Sequence, residues 1–144
     1  MMRYSVLVMV VLSVCAGLVR AAESPVGKWN TIDEKTGKVT SQVEVYMQGG
    51  KLFGKIVSLP DPDDKNGKPL VCTECTGDDK DKPIIGLVIM KGLSLKGERY
   101  VDGTILDPDD GKIYTAEVWV EAGTLKVRGF VGFFHRTQTW ISAK

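Results

Sequence analysis

The sequence predicts an all-β domain, an antiparallel up-and-down barrel of about eight or nine strands. Three observations carry this. One segment alternates with a strict period of two, glycine-rich turns recur at hairpin spacing, and no convincing amphipathic helix is present.

The alternation is clearest from Val39 to Gln48. Val39, Ser41, Val43, Val45 and Met47 fall on one face, and Thr40, Gln42, Glu44, Tyr46 and Gln48 on the other. Such a pattern suits a half-buried strand and would scatter around a helix. Gly49-Gly50 supplies a tight turn, and Lys51 to Leu59 the return strand. Ile84 to Met90 is apolar and rich in β-formers until Lys91-Gly92 interrupts it. Tyr100 to Leu106 enters the turn Asp107-Pro108-Asp109-Asp110-Gly111, and Ile113 to Val120 leaves it. After Glu121-Ala122-Gly123 comes Thr124 to Val131, and Thr137 to Ile141 closes the chain. Pro25 to Ile32 is the first strand. Closing such a meander into a barrel removes the exposed edges of an open sheet. Pro60 to Lys82, rich in Asp, Lys, Pro and Gly, is a long surface connection, possible as a lid.

The N-terminus reads as an export signal. Met1-Met2-Arg3 precedes the apolar run Val6 to Val19, which ends in Arg20-Ala21-Ala22. The run is short for a membrane span and suits cleavage after Ala21 or Ala22. Residues 1–22 are thus expected to be a signal peptide and 23–144 the domain, in a periplasmic or secreted protein with no membrane span after cleavage, the alternative being an uncleaved membrane anchor. Cys15 half resembles a lipidation site, but Val14 precedes it and the apolar run continues past it. Of the 19 basic residues, Arg3 and Arg20 leave with the signal, so 17 face 18 acids and the net charge is −1. No basic excess remains to attract nucleic acid.

Cys72-Thr73-Glu74-Cys75 is the most conspicuous motif. It allows a local disulfide, a redox site, or metal ligation completed by a partner's groups. Glu74, Asp78 and Asp79 disfavour a thiolate, and an oxidising compartment favours the disulfide. Closing so short a loop contributes about 2 kcal/mol at most. The runs Asp61 to Gly67 and Asp107 to Gly111 lack the glutamate that a calcium loop needs at its twelfth position, where Cys72 and Val118 stand. They read as turns. His135 is the single histidine, so no His-based triad or His-rich metal site can be assembled. No catalytic constellation and no cofactor are expected.

Gly27-Lys28-Trp29 opens the first strand, and Arg136 precedes the strand that contains Trp140. An arginine over an indole would plug one barrel end, so Trp29 and Arg136 are paired in that role. Gly-x-Trp with a late arginine resembles the lipocalin and calycin signature. Over nearly all of residues 23–144, the chain is similar to a family of bacterial secreted domains of unknown function. The resemblance rests on Gly27-Lys-Trp29, Gly50-Lys-Leu-Phe-Gly-Lys-Ile-Val57, Cys72-x-x-Cys75-x-Gly77 and Lys82-Pro-Ile-Ile-Gly86. It continues through Gly103-x-Ile-Leu-Asp-Pro108, Gly111-Lys-x-Tyr114, Leu125-Lys-Val-Arg-Gly129 and Arg136-Thr-Gln-Thr-Trp140. It implies a lipocalin-like barrel and an envelope location, and it carries no activity. One departure is His135, where the pattern would have glycine, which bears on the last corner.

The leading expectation is a non-enzymatic binding protein holding a small hydrophobic or amphipathic ligand. Trp29, Tyr46, Phe53, Trp119, Arg128 and Trp140 are candidate lining residues, with faces unassigned. Arg128 and Arg136 are candidates for an anionic head group or for surface and end-plug roles. The alternatives are an interaction module with a filled barrel that meets an envelope protein partner, and a redox or metal-handling module using Cys72 and Cys75.

Overall fold

A computed structural model describes Gly17 and residues 23–143. The expected signal peptide, its cleavage site and Cys15 lie outside the described residues. Eight antiparallel strands, each paired with the next, close into an up-and-down barrel. They are β1 (Gly27–Ile32), β2 (Val39–Gln48), β3 (Lys51–Ser58), β4 (Val88–Lys96), β5 (Arg99–Leu106), β6 (Ile113–Glu121), β7 (Thr124–Val131) and β8 (Phe134–Ser142). A single 3-10 turn, Gly77–Asp79, interrupts the long connection between β3 and β4. β1 meets β8 through Trp29 opposite Ser142 and Asn30 opposite Ile141, which completes the cylinder.

The period-two face of β2 is the inward one. Ser41, Val43 and Val45 are buried, while Val39 and Met47 emerge at the strand ends. Across the β1 pairing, Trp29 lies opposite Val43 and Thr31 opposite Ser41, so the inward row passes from strand to strand.

Four boundaries differ from expectation by two residues or more, each for a local reason. β4 starts at Val88 rather than Ile84, because the chain turns at residues 84–87, where the Leu87 N–H donates to the Ile84 carbonyl at 3.1 Å. β1 starts at Gly27, because Pro25 has no N–H to offer a ladder. β4 does not stop at Lys91-Gly92. Leu52 and Gly54 on β3 face Leu93 and Met90, so two steps on β3 span three on β4. Gly92, with φ +71°, absorbs the extra residue as a bulge. Both Met90 and Leu93 therefore point inward, each fully buried. β8 begins at Phe134 rather than Thr137, because the chain turns at Gly132-Phe133 and Val131 pairs with Phe134. His135 and Arg136 are thus ladder residues, opposite Phe130 and Gly129.

The two ends of the barrel differ. The short turns β2–β3, β4–β5 and β6–β7 share one end, where Val45, Leu52, Leu93, Val118 and Leu125 fill the interior at 0–1% exposure. All the longer connections share the other end. Small residues shape the cross-section between them: Gly103, Ala116 and Gly129 lie side by side on β5, β6 and β7. A Cβ on Gly103 would lie 2.5 Å from the Lys91 carbonyl oxygen and 2.6 Å from Leu93 Cγ, so Leu93 occupies the space that glycine leaves.

The 60–83 connection is ordered by its own bonds. Cys72 N–H donates to the Lys82 carbonyl at 2.8 Å, and Ile84 N–H to that of Leu70 at 2.9 Å. Cys72 and Cys75 form a disulfide with a Cα–Cα distance of 5.4 Å, and both are buried in the main core. Gly111 in the β5–β6 turn packs so closely on the Glu74 backbone that no Cβ would fit. The connection is fastened across the end of the barrel.

Candidate functional site

A cavity of about 1160 Å³ opens at the end that carries the longer connections. Inward residues of every strand contribute to it. Ile56 on β3, Ile89 on β4 and Ile105 on β5 make one apolar wall, extended by Leu59 and Ile84 from the adjoining connection. Thr31 on β1, Ser41 on β2, and Arg136 and Gln138 on β8 make a polar wall across from it. Trp140, 2% exposed, lies deepest along β8. Thr31 and Ser41 satisfy each other through their hydroxyls at 2.7 Å. The Trp140 indole N–H donates to Gln138 Oε1 at 3.2 Å.

The rim is charged. Asp33, Asp61, Glu74, Asp107 and Asp109 border it, with Lys38, His135 and Arg136. Arg136 reaches the Glu34 carboxylate at 3.5 Å, both side chains largely in solvent. Burial raises the Asp107 carboxyl above the ordinary aspartate value, reinforced by the neighbouring charges of Asp110 and Asp109. Arg136 and the Asp109 N–H oppose that rise. Asp33 is lowered by the backbone N–H groups of Thr36 and Lys35, which it caps. For Asp110, desolvation acts upward, but the Lys112 N–H and the Tyr114 hydroxyl outweigh it and the carboxyl is lowered. The Tyr114 hydroxyl donates to Asp110 at 2.7 Å, and that bond raises the phenol's own pKa.

Of the aromatic and arginine candidates for the lining, Trp140 borders the cavity and the others lie elsewhere. Trp29 is buried at the filled end, its indole N–H donating to the Pro25 carbonyl at 2.8 Å. Tyr46 and Phe53 stack at 5.9 Å beside a shallow outer groove of about 250 Å³. Trp119 lies on the outer wall, with Arg99 at 3.8 Å and Arg128 at 4.9 Å from its ring centroid. The Arg128 Nε–H also donates to Thr137 Oγ1 at 2.8 Å, which holds it outside.

The plug drawn between Trp29 and Arg136 is not formed. β8 places Ser142 opposite Trp29, six residues from Arg136, or about 20 Å along the strand. Trp29 belongs to the filled end and Arg136 to the open one. Gln138 and the three isoleucines were missed by sequence reasoning. Counting back by two from Trp140 reaches Gln138 and Arg136, and counting on by two from Leu52 reaches Ile56, so the period contained the signal.

A family model described as "Uncharacterized protein conserved in bacteria (DUF2147)" matches residues 27–142. No curated protein matches the sequence. Among solved structures the chain is similar to protein HP1028 of Helicobacter pylori, described as belonging to the lipocalin family. The identity is 21%, each chain is covered to 82%, and the TM-score is 0.67.

Proposed function

The chain belongs to the DUF2147 family of bacterial proteins, and we propose that it is a non-enzymatic carrier holding one small, partly apolar molecule in its barrel. One observation carries this reading: the interior is packed at one end and open at the other, leaving about 1160 Å³ of lumen and mouth, with isoleucines inside and polar and charged residues around the opening. Pockets for small ligands run to roughly 300–1,000 Å³, apolar with a few placed polar groups, and small barrels with room to spare hold such ligands. The likeness to a lipocalin-family protein supports the same reading through the fold.

The carrier works in the bacterial envelope. Support comes from the apolar N-terminal run and from a disulfide, which persists in oxidising compartments. Binding is the whole of its chemistry: the cavity removes an apolar molecule from water and leaves a charged rim to solvent.

Native mass spectrometry of the protein purified from the periplasm tests this. The expected result is a retained small molecule that gentle activation releases. A bare mass at every charge state, from a folded protein that also fails to take up apolar probes, would overturn the carrier reading.

A further inference from the structure

The inward face of β8 is a ladder of hydrogen-bond donors. Gln138 has one amide oxygen and one NH2 group, and the partners it meets decide which way the amide turns. An indole N–H can only donate, so Trp140 Nε1 at 3.2 Å fixes the oxygen toward itself and turns the NH2 group the other way. That NH2 group has no side-chain partner among the described residues, and Gln138 borders the cavity. Two residues earlier on the same face, about 7 Å along the strand, stands Arg136, whose guanidinium lies at the mouth on a side chain 73% exposed. It has only donors, and one of them is engaged, at 3.5 Å, by Glu34. The wall across the lumen, Ile56, Ile89 and Ile105, offers neither donors nor acceptors from its side chains.

From this geometry we infer that the cavity takes an apolar carboxylate, its anionic oxygens on Arg136 and Gln138 and its hydrocarbon body against the isoleucine wall. The inference rests on the carrier reading and names the ligand class. A carboxylate only accepts hydrogen bonds, which complements two donor groups spaced along one strand. At Arg136 and Gln138 an alcohol would use part of their capacity and an ammonium would meet donors and a like charge, the acceptors for it lying instead among the rim carboxylates of Asp33, Asp61, Glu74, Asp107 and Asp109. Glu34 is the protein's own stand-in: its carboxylate pairs with Arg136 at 3.5 Å, and the ligand's carboxylate replaces it. Trp140 is a positioning residue, because it acts by orienting the Gln138 amide.

Calorimetric titration of the purified protein with dodecanoate, dodecanol and dodecylamine tests this. Dodecanoate is expected to bind about tenfold or more tightly than either other probe, as charge-assisted bonds require. Arg136→Gln and Gln138→Leu each shrink that preference. Glu34→Gln removes the competitor of an exposed pair and tightens dodecanoate up to about fivefold. Trp140→Phe frees the amide to turn, so the carboxylate-over-alcohol ratio falls, whereas a merely structural loss would weaken both probes alike. Equal affinity for dodecanoate and dodecanol, or a preference unmoved by Arg136→Gln and Gln138→Leu, would overturn the inference and leave the carrier reading standing. Failure of all three probes, together with a bare native mass, overturns the carrier reading and this inference with it.

Discussion

Phase, more than identity, decides what a side chain does in this barrel. Trp119, Glu117 and Glu121 share one face of β6, and Ala116, Val118 and Val120 share the other. The three small or aliphatic residues fill the interior, so the tryptophan goes outside, where two arginines cover it. Aromatic size made Trp119, Tyr46 and Phe53 attractive candidates for the lining, yet their glutamate, lysine and glutamine strand-mates already marked an outward face. Asp107 is a case where burial leads, with the charges of Asp110 and Asp109 behind it. Its carboxyl titrates above the unfolded value of 3.8, so the native protein holds a proton that the unfolded chain has released. Across that window the unfolded state binds fewer protons, and stability falls as pH rises. Asp107→Asn keeps an oxygen for the Asp109 N–H, 2.9 Å away, while removing the half-buried charge. The melting temperature of the variant relative to the native protein should therefore climb from pH 3 to pH 7, by a few degrees at most. A difference that is flat or falls with pH would show that desolvation does not govern this carboxylate. Asp33 and Asp110 are lowered and act in the opposite sense, gaining stability as pH rises through their folded values toward 3.8. Both proteins share Asp33 unchanged, while Asp110 interacts with Asp107, so the comparison reads Asp107 together with its charge coupling to Asp110.

At the scale of elements, the strands that were legible are those whose alternation is uninterrupted. β2, β6 and β7 follow their apolar period within one residue at each end. β4 was read early at its start and short at its end, and β8 short at its start, because the rules for ending a strand are local and the pairing is not. Gly92 looks like a terminator in sequence, but as a bulge it lets Met90 and Leu93 both face the core. Phe133-Phe134-His135-Arg136 looks like a corner, yet pairing with β7 carries the strand back to Phe134. The 60–83 connection was legible as a loop with a disulfide, but not as a packed element. Cys72 and Cys75 are 1% and 2% exposed, so the bridge contributes burial as well as ring closure. Cys72→Ala with Cys75→Ala should cost about 2 kcal/mol for the lost closure and about 1 kcal/mol for each buried sulfur. Urea midpoints of the oxidised native protein and the double variant give the measurement. A loss below about 1 kcal/mol would mean that the connection is held by its backbone bonds alone.

Across the whole molecule, stability and binding are divided between the two ends of one barrel. The filled end carries the tightest packing, Leu52, Leu93 and Leu125 having no exposed surface, and it also holds Trp29 with its bond to Pro25. Barrel closure itself is light at the β1–β8 seam, where two residue pairs are joined by the bond from Ala143 N–H to the Lys28 carbonyl, 3.0 Å long. The filled end therefore compensates for the open one, whose cavity-facing residues are less tightly packed. Truncations should separate the two roles. Leu52→Ala removes contacts on every side and should cost about 3–5 kcal/mol, while dodecanoate affinity stays unchanged well below the melting temperature. Ile105→Ala faces the cavity, so part of its surroundings is already empty. It should cost only about 1–2 kcal/mol and weaken dodecanoate at least about threefold, because the hydrocarbon loses wall area. Denaturation midpoints and titrations on the same two variants check both halves. If Ile105→Ala proves as destabilising as Leu52→Ala and leaves the affinity untouched, the open end is core rather than site. If Leu52→Ala alone abolishes binding, the ends are one cooperative unit, and the filled half positions the ligand as well as supporting the fold.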